Sequence, residues 1–181
     1  CDAKLEIISG EQEAEWTFRG AMTNPKLSRG PVLLLDVGGG STEFILGQGD
    51  ELHFRHSSPL GAVRLLEKIP HSDPPQPGEL AACREWLKNF LDSKLRGTLE
   101  PELKREVKEH AQHHAVRLVG VGGTATVLAR MENGQDDYDR ERIETTRLSA
   151  KKIREWVGRL WVLPLAERRQ IITAPARVAG V

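Results

Sequence analysis

The chain has 181 residues, 39% hydrophobic and 29% charged, with 26 Lys+Arg against 26 Asp+Glu and a formal net charge of zero. That length suits one ordinary domain with a real core, and the charge balance argues against nucleic-acid binding through a broad basic surface while leaving room for a local cationic cleft. No stretch approaches the roughly 18 apolar residues of a membrane span, no signal-peptide pattern opens the chain, and the two cysteines, Cys1 and Cys83, make no disulfide framework; a cytoplasmic protein is expected.

In chain order, Leu5–Ile8 reads as a short strand. Ser9 and Gln12 then have capping-box spacing, and Ala14, Phe18, Ala21 and Met22 recur as one face of a helix. After the polar run Thr23–Pro31, the apolar run Val32–Val37 predicts a buried strand. Gly38-Gly39-Gly40-Ser41 predicts a turn, Thr42–Leu46 a second strand and Glu51–His56 a third, in meander order. A helix is expected over Glu79–Arg96, with Leu80, Cys83, Leu87, Leu91 and Leu95 on one side and Gly97 as its stop. Cys83 reads as a small buried apolar residue, and the four tryptophans, Trp16, Trp86, Trp156 and Trp161, read as core.

Pro101–His114 predicts a charged, solvated helix, in which His110, His113 and His114 face water. Arg117–Val121 predicts a strand, Gly122-Gly123 a turn and Thr124–Met131 a helix, with loop over Asn133–Arg142. Ser149 is placed to cap a last helix whose stripe is Ile153, Trp156, Val157, Leu160 and Trp161. Because the chain opens on Cys1 and its apolar tail Ala174–Val181 carries no stop signal, a piece of a longer protein is expected.

The segment Asp36-Val-Gly-Gly-Gly-Ser-Thr-Glu43 has the most chemical content. Its glycines allow backbone N–H groups to approach a phosphate. If the hairpin is symmetric about Gly39-Gly40, Asp36 faces Glu43 across the strands. Like charges there are unfavourable unless a cation such as Mg²⁺ bridges them or one is protonated; the plainer alternative is a hairpin whose acids face water. The spacing is neither Walker-A nor dinucleotide-binding, since no lysine follows and the turn leads into a strand. Gly120-Val-Gly-Gly-Thr-Ala-Thr126 joins a strand to a helix, a place suited to an anion or simply a tight connection. Together the two loops suggest one anion held between them. Periodicity alone marks Glu13 only as a solvated helix residue.

Four ordered stretches, Ile7-Ile-Ser-Gly-Glu-Gln-Glu-Ala14, Leu34-Leu-Asp-Val-Gly-Gly-Gly-Ser-Thr-Glu43, Pro59-Leu-Gly-Ala-Val-Arg-Leu65 and Val119-Gly-Val-Gly-Gly-Thr-Ala-Thr126, resemble the exopolyphosphatase / guanosine-pentaphosphate phosphohydrolase (Ppx/GppA) family over essentially the whole chain. Leu163-Pro-Leu-Ala-Glu-Arg-Arg169 is similar to the family's next motif. The resemblance implies an α/β, ribonuclease-H-like domain of the actin/Hsp70/sugar-kinase superfamily, a mixed sheet with flanking helices. Residues 1–181 would form the second of two such domains, and residues 1–22 an inter-domain strand and hinge helix. It also implies release of terminal phosphate from polyphosphate or guanosine pentaphosphate with Mg²⁺. Glu13 matches the family's water-activating base, Asp36 and Glu43 its acidic pair, associated with Mg²⁺ and, for Glu43, with catalysis, Gly38, Gly39, Gly40, Ser41 and Thr42 its phosphate loop, and Gly122, Gly123 and Thr124 its second loop.

No Asp-x-Gly-Ser-Asn-Ser loop of the family's first domain occurs here. Gln12 stands where the family often has glutamate, Glu144 where relatives commonly carry histidine, and Pro175–Gly180 lacks the family's aspartate. The first domain of the same protein is therefore an expected partner, this chain alone is expected to be inactive, and a homodimer of the full-length protein is compatible with the resemblance. A non-catalytic sensor of polyphosphate or an alarmone, and an actin-like ATP-dependent kinase, are the alternatives.

Overall fold

The computed structural model describes residues 4–109 and 115–173. Cys1, the three histidines His110, His113 and His114, and the tail Ala174–Val181 lie outside the described residues. The elements are α1 (Gly10–Met22), β1 (Val32–Val37), β2 (Thr42–Gln48), β3 (Glu51–Ser58), α2 (Ala62–Lys68), α3 (Pro77–Lys94), α4 (Arg96–Glu109), β4 (Arg117–Val121), α5 (Gly122–Asn133), α6 (Arg140–Thr145), α7 (Ala150–Trp161) and α8 (Leu165–Thr173). They fall into two compact units, residues 1–64 with 90–121 and residues 65–89 with 122–181.

The first unit is built on a four-stranded mixed sheet in the order β3-β2-β1-β4. β1 pairs antiparallel with β2 and parallel with β4, and β2 pairs antiparallel with β3. Side chains alternate between the faces of a strand, and each face of this sheet has its own helical cover. On one face Val32, Leu34 and Ile45 pack with Ala14 and Phe18 of α1. On the other, Phe44, Leu33, Leu35 and Phe54 pack with Leu91 of α3, with Leu95 between α3 and α4, and with Leu99 and Leu103 of α4. A strand covered on both sides reads as a continuous apolar run, as Val32–Leu35 does. Each fully buried aliphatic or aromatic side chain here contributes about 1.5–3 kcal/mol.

Local signals set the edges of these elements. Ser9 caps α1 by accepting from Gln12 N at 3.2 Å. Gly49 supplies the positive φ (56°) of the β2–β3 turn. Arg117 donates to the carbonyls of Lys26 and Leu27, both at 2.7 Å, and so fastens the 23–31 connection to β4.

The second unit is helical among its described residues. Trp156 Nε1 of α7 donates to Glu132 Oε2 of α5 at 2.7 Å. Asn133 Nδ2 bonds Thr146 Oγ1 just past α6 at 2.8 Å, and Asp73 accepts from Leu165 N at the start of α8 at 2.7 Å. Cys83 is a free, buried thiol, and Ser149 caps α7 through Lys152 N. No helix among the described residues is long and apolar enough to cross a membrane.

Several expectations need correction. Leu5–Ile8 pairs with no strand among the described residues, and Leu5 and Ile7 are 92% and 96% exposed; an inter-domain strand, as the resemblance implies, would need a neighbour from the other domain to complete its ladder. Gly97 stops nothing. Its φ is not positive, and backbone bonds from Thr98 and Leu99 to the Leu95 carbonyl carry the chain straight into α4. That helix is not wholly solvated either, because Glu106 is completely buried against His53 Nδ1 of β3. Trp16 is exposed rather than core. The short helices α2 and α6 fall where no helix is expected, and α5 begins at Gly122 itself, with φ +75° at that residue.

Candidate active site

Alternation along β1 and β2 decides where the acidic residues go. Asp36 follows Val32 and Leu34 at period two, and Glu43 precedes Ile45 by two, so both carboxylates share the face covered by α1. The register pairs Val37 with Thr42 and Asp36 with Glu43, as symmetry about Gly39-Gly40 predicts. One strand further, Glu43 pairs with Ser57, and Ser57 Oγ donates to Glu43 Oε1 at 2.8 Å. Glu43 is 2% exposed.

Glu13 lies in the first turn of α1, over the same end of the sheet. The approach is set by Gly10: a Cβ there would overlap Ser57 Oγ, lie 2.7 Å from Ser57 Cβ and come within 3.9 Å of Glu43 Oε1. The helix start therefore rests directly on β3 and carries Glu13 to the acidic pair. Arg55 of β3 holds the neighbouring face of α1 through Glu15 Oε2 at 2.7 Å. Burial first, then the charges of Glu43 and Asp36, raise the Glu13 carboxyl above the usual glutamate range. Burial and then Glu43 raise Asp36 in the same way. Glu13 and Asp36 therefore hold a proton more readily than free carboxyls do, and a cation beside them would relieve the repulsion.

The glycine loop between β1 and β2 is braced from one side. Gly38 N bonds Ser41 O at 3.0 Å, closing the turn. At the start of α2, Ala62 N donates to Gly38 O at 2.9 Å and Val63 N to Gly39 O at 2.9 Å. Thr42 Oγ1 donates to Leu60 O. Gly61 lies so close that a Cβ there would overlap the Gly39 carbonyl and sit 2.5 Å from Gly40 N. In a trans peptide the N–H points opposite to the C=O. With the Gly38 and Gly39 carbonyls turned toward α2, the N–H groups of Gly39 and Gly40 face away from it, as a pair of donors free to meet an anion.

The structure thus brings Glu13, Asp36, Glu43 and the loop Gly38, Gly39, Gly40, Ser41 and Thr42 together in the first unit. Val121, the last residue of β4, pairs with Asp36. The chain enters the second unit at the next residue, where Gly122, Gly123 and Thr124 form the first turn of α5 and Thr126 Oγ1 bonds Gly122 O at 2.9 Å. Residue patterns missed Ser57, Gly10 and Gly61. Ser57 lies one residue beyond the expected strand Glu51–His56, and extending that strand was the available signal; Gly10 and Gly61 fall within the family-like stretches, but their roles show only through tertiary contact. A hollow of about 420 Å³ lined by Phe18, Arg19, Met22, Thr23, Gly49 and Asp50 lies by the far end of α1 and contains none of the three carboxylates.

As for a metal, no group of three or more His, Cys, Asp or Glu side chains able to hold an ion by themselves occurs among the described residues. Asp36 and Glu43 nevertheless suit Mg²⁺, which takes one or two carboxylates and completes its shell with water and substrate phosphate oxygens.

Comparison with known proteins bears on the family and the fold. The Ppx/GppA phosphatase family profile matches residues 1–177. Exopolyphosphatase 2 of Mycobacterium tuberculosis is 33% identical over 170 residues, covering 94% of this chain and 49% of that protein. Exopolyphosphatase 1 of the same organism is 30% identical over 182 residues, covering 98% of this chain and 49% of its own length. The chain thus spans about half the length of these relatives. Among solved structures, the Aquifex aeolicus PPX-GPPA enzyme superposes with a TM-score of 0.71 at 26% identity, over 97% of this chain and 56% of that one. The α/β architecture is accordingly the ribonuclease-H-like, actin-like fold of those proteins. On the strength of the profile match and of relatives aligned over nearly its full extent, this chain belongs to the Ppx/GppA phosphatase family.

Proposed function

We propose that this chain is the second half of a phosphohydrolase that removes terminal phosphate from inorganic polyphosphate, guanosine pentaphosphate or both, and that the catalytic base stands on it. The supporting observation is the gathering of Glu13, Asp36 and Glu43 beside a glycine loop with two outward-facing N–H groups. Relatives named exopolyphosphatases support polyphosphate as the substrate class.

In this reading a terminal phosphoryl group rests on the Gly39 and Gly40 N–H groups, which stabilise charge as it develops on the phosphoryl oxygens. Glu13, with its raised affinity for a proton, orients the attacking water and takes its proton as the water oxygen bonds to the terminal phosphorus and the bridging P–O bond breaks. Orthophosphate forms, and the shortened phosphate compound leaves as an anion. Glu43, fixed by Ser57, and Asp36 would hold Mg²⁺, which when bound offsets phosphate charge. Ser41 and Thr42 complete the loop; Gly122, Gly123 and Thr124 match a second anion-binding loop by resemblance alone. The first domain of the full-length protein closes the cleft, so the chain alone has little or no activity.

The test is phosphate release by the full-length protein with Mg²⁺ from long-chain polyphosphate, guanosine pentaphosphate and ATP in parallel. Release that disappears in Glu13→Gln while binding persists is expected, and the preferred compound names the substrate. Binding without release from any of the three would make the protein a sensor. Transfer of phosphate from ATP to an acceptor would make it a kinase.

A further inference from the structure

We propose that Arg64 is a substrate-phosphate ligand of this site, its guanidinium closing the glycine loop on the side of Gly40; the inference rests on the phosphohydrolase reading above. Three acidic side chains surround a site meant for a polyanion, and neutral N–H donors cannot by themselves offset that charge. Arg64 is the third residue of α2, and both its main chain and its side chain are referred to the loop. Arg64 N lies 3.3 Å from the Gly39 carbonyl, and Arg64 Nε lies 3.8 Å from the point where a Gly40 Cβ would stand.

The side chain is exposed, and among the described residues the guanidinium has no ion-pair partner, although three carboxylates occupy the same unit. A structural arginine on this fold behaves differently: Arg55 binds Glu15, and Arg117 binds two carbonyls. Arg64 is held near the loop by its backbone and leaves its planar donor fork uncommitted. That fork matches two oxygens of one phosphate, a geometry that lysine cannot reproduce. Gly40 lacks a side chain on the flank where the guanidinium lies, so nothing stands between them.

The experiment compares the full-length wild type with Arg64→Gln and Arg64→Lys. It measures inorganic tripolyphosphate binding by titration calorimetry, steady-state hydrolysis of long-chain polyphosphate, and melting temperature. Arg64→Gln should weaken tripolyphosphate binding and raise KM by roughly 10- to 100-fold, the scale of a lost charged hydrogen bond, with a smaller change in kcat. Arg64→Lys should recover part of the affinity, and both variants should melt with the wild type.

Equal tripolyphosphate affinity in wild type and Arg64→Gln overturns the proposal, as does a wild type that binds no tripolyphosphate. A drop in melting temperature that accounts for lost binding assigns Arg64 a structural role and also overturns it. If the wild type binds tripolyphosphate without hydrolysing polyphosphate, the phosphohydrolase reading fails alone, and the binding comparison still decides the role of Arg64.

Discussion

Asp36 stands directly opposite Glu43 across the β1–β2 hairpin, on the face of the sheet that α1 covers. Like charges in register between antiparallel strands cost roughly 0.2–1 kcal/mol. Removing one should therefore stabilise the fold while damaging the site. Asp36→Asn is expected to raise the melting temperature and to abolish Mg²⁺-dependent hydrolysis. Mg²⁺ should raise the melting temperature of the wild type, as any ligand of the native state does, and a chelator should reverse it. An equal Mg²⁺ response in Asp36→Asn would remove Asp36 from the metal site.

The same residues give a pH dependence of defined sign. Asp36 and Glu13 hold protons more tightly in the fold than in the unfolded chain. Their contribution to stability is thus present below their ordinary pKa values and lost as pH rises through the raised ones. The stability advantage of Asp36→Asn over wild type should widen as pH rises from about 4 to 7, as read from paired melting curves. A constant gap would mean that Asp36 titrates normally. With Glu13 as the proposed base, the acid limb of the kcat profile should lie above the ordinary glutamate value of 4.5.

Ser57→Ala removes the hydrogen bond that positions Glu43. A net loss of about 1 kcal/mol in stability is expected, together with a lower kcat and a little-changed KM, because the carboxylate stays but loses its orientation. Denaturant melts and steady-state kinetics check both. An unchanged kcat would show that Glu43 is positioned without Ser57.

Gly61→Ala and Gly20→Ala form a contrasting pair. A Cβ at Gly61 meets the backbone of Gly39 and Gly40, which cannot swing aside as a side chain can. The loop must shift, and hydrolysis should fall at least about tenfold, the scale of a misplaced positioning element. At Gly20, in the interior of α1, a Cβ meets nothing within 4 Å. Alanine there should stabilise the protein by about 0.5–1 kcal/mol through helix propensity and leave activity alone. Wild-type activity in Gly61→Ala would disprove the bracing role of α2.

Local pattern made much of the first unit legible. The apolar run of β1, the symmetric loop and the stripe Ala14, Phe18, Ala21 and Met22 carry enough information to place the register and the α1 face. Glu13 was recognisable only by resemblance, because its meaning depends on how closely Gly10 lets α1 approach Ser57. Leu5–Ile8 has strand propensity but no partner strand among the described residues, since propensity says nothing about which domain would supply one. Helices α2 and α6, of 7 and 6 residues, are too short to show a period. Glu106 misled because a single inward-facing acid does not disturb the charged pattern of α4, and its partner His53 is far away in sequence.

The contact between Gly61 and Gly39 also bears on how the site is inherited. Every amino-acid replacement of glycine adds a β-carbon, so no missense change at Gly61 preserves the shape of the loop, whichever codon base mutates. By contrast, Gly78, Gly97 and Gly158 face open space and are free to drift as far as their backbone angles allow. Selection for phosphate chemistry would then fall on a residue that contributes no atom to the substrate. In a clinical or environmental variant catalogue, a change at Gly61 should sort with lost enzymes rather than with neutral polymorphisms.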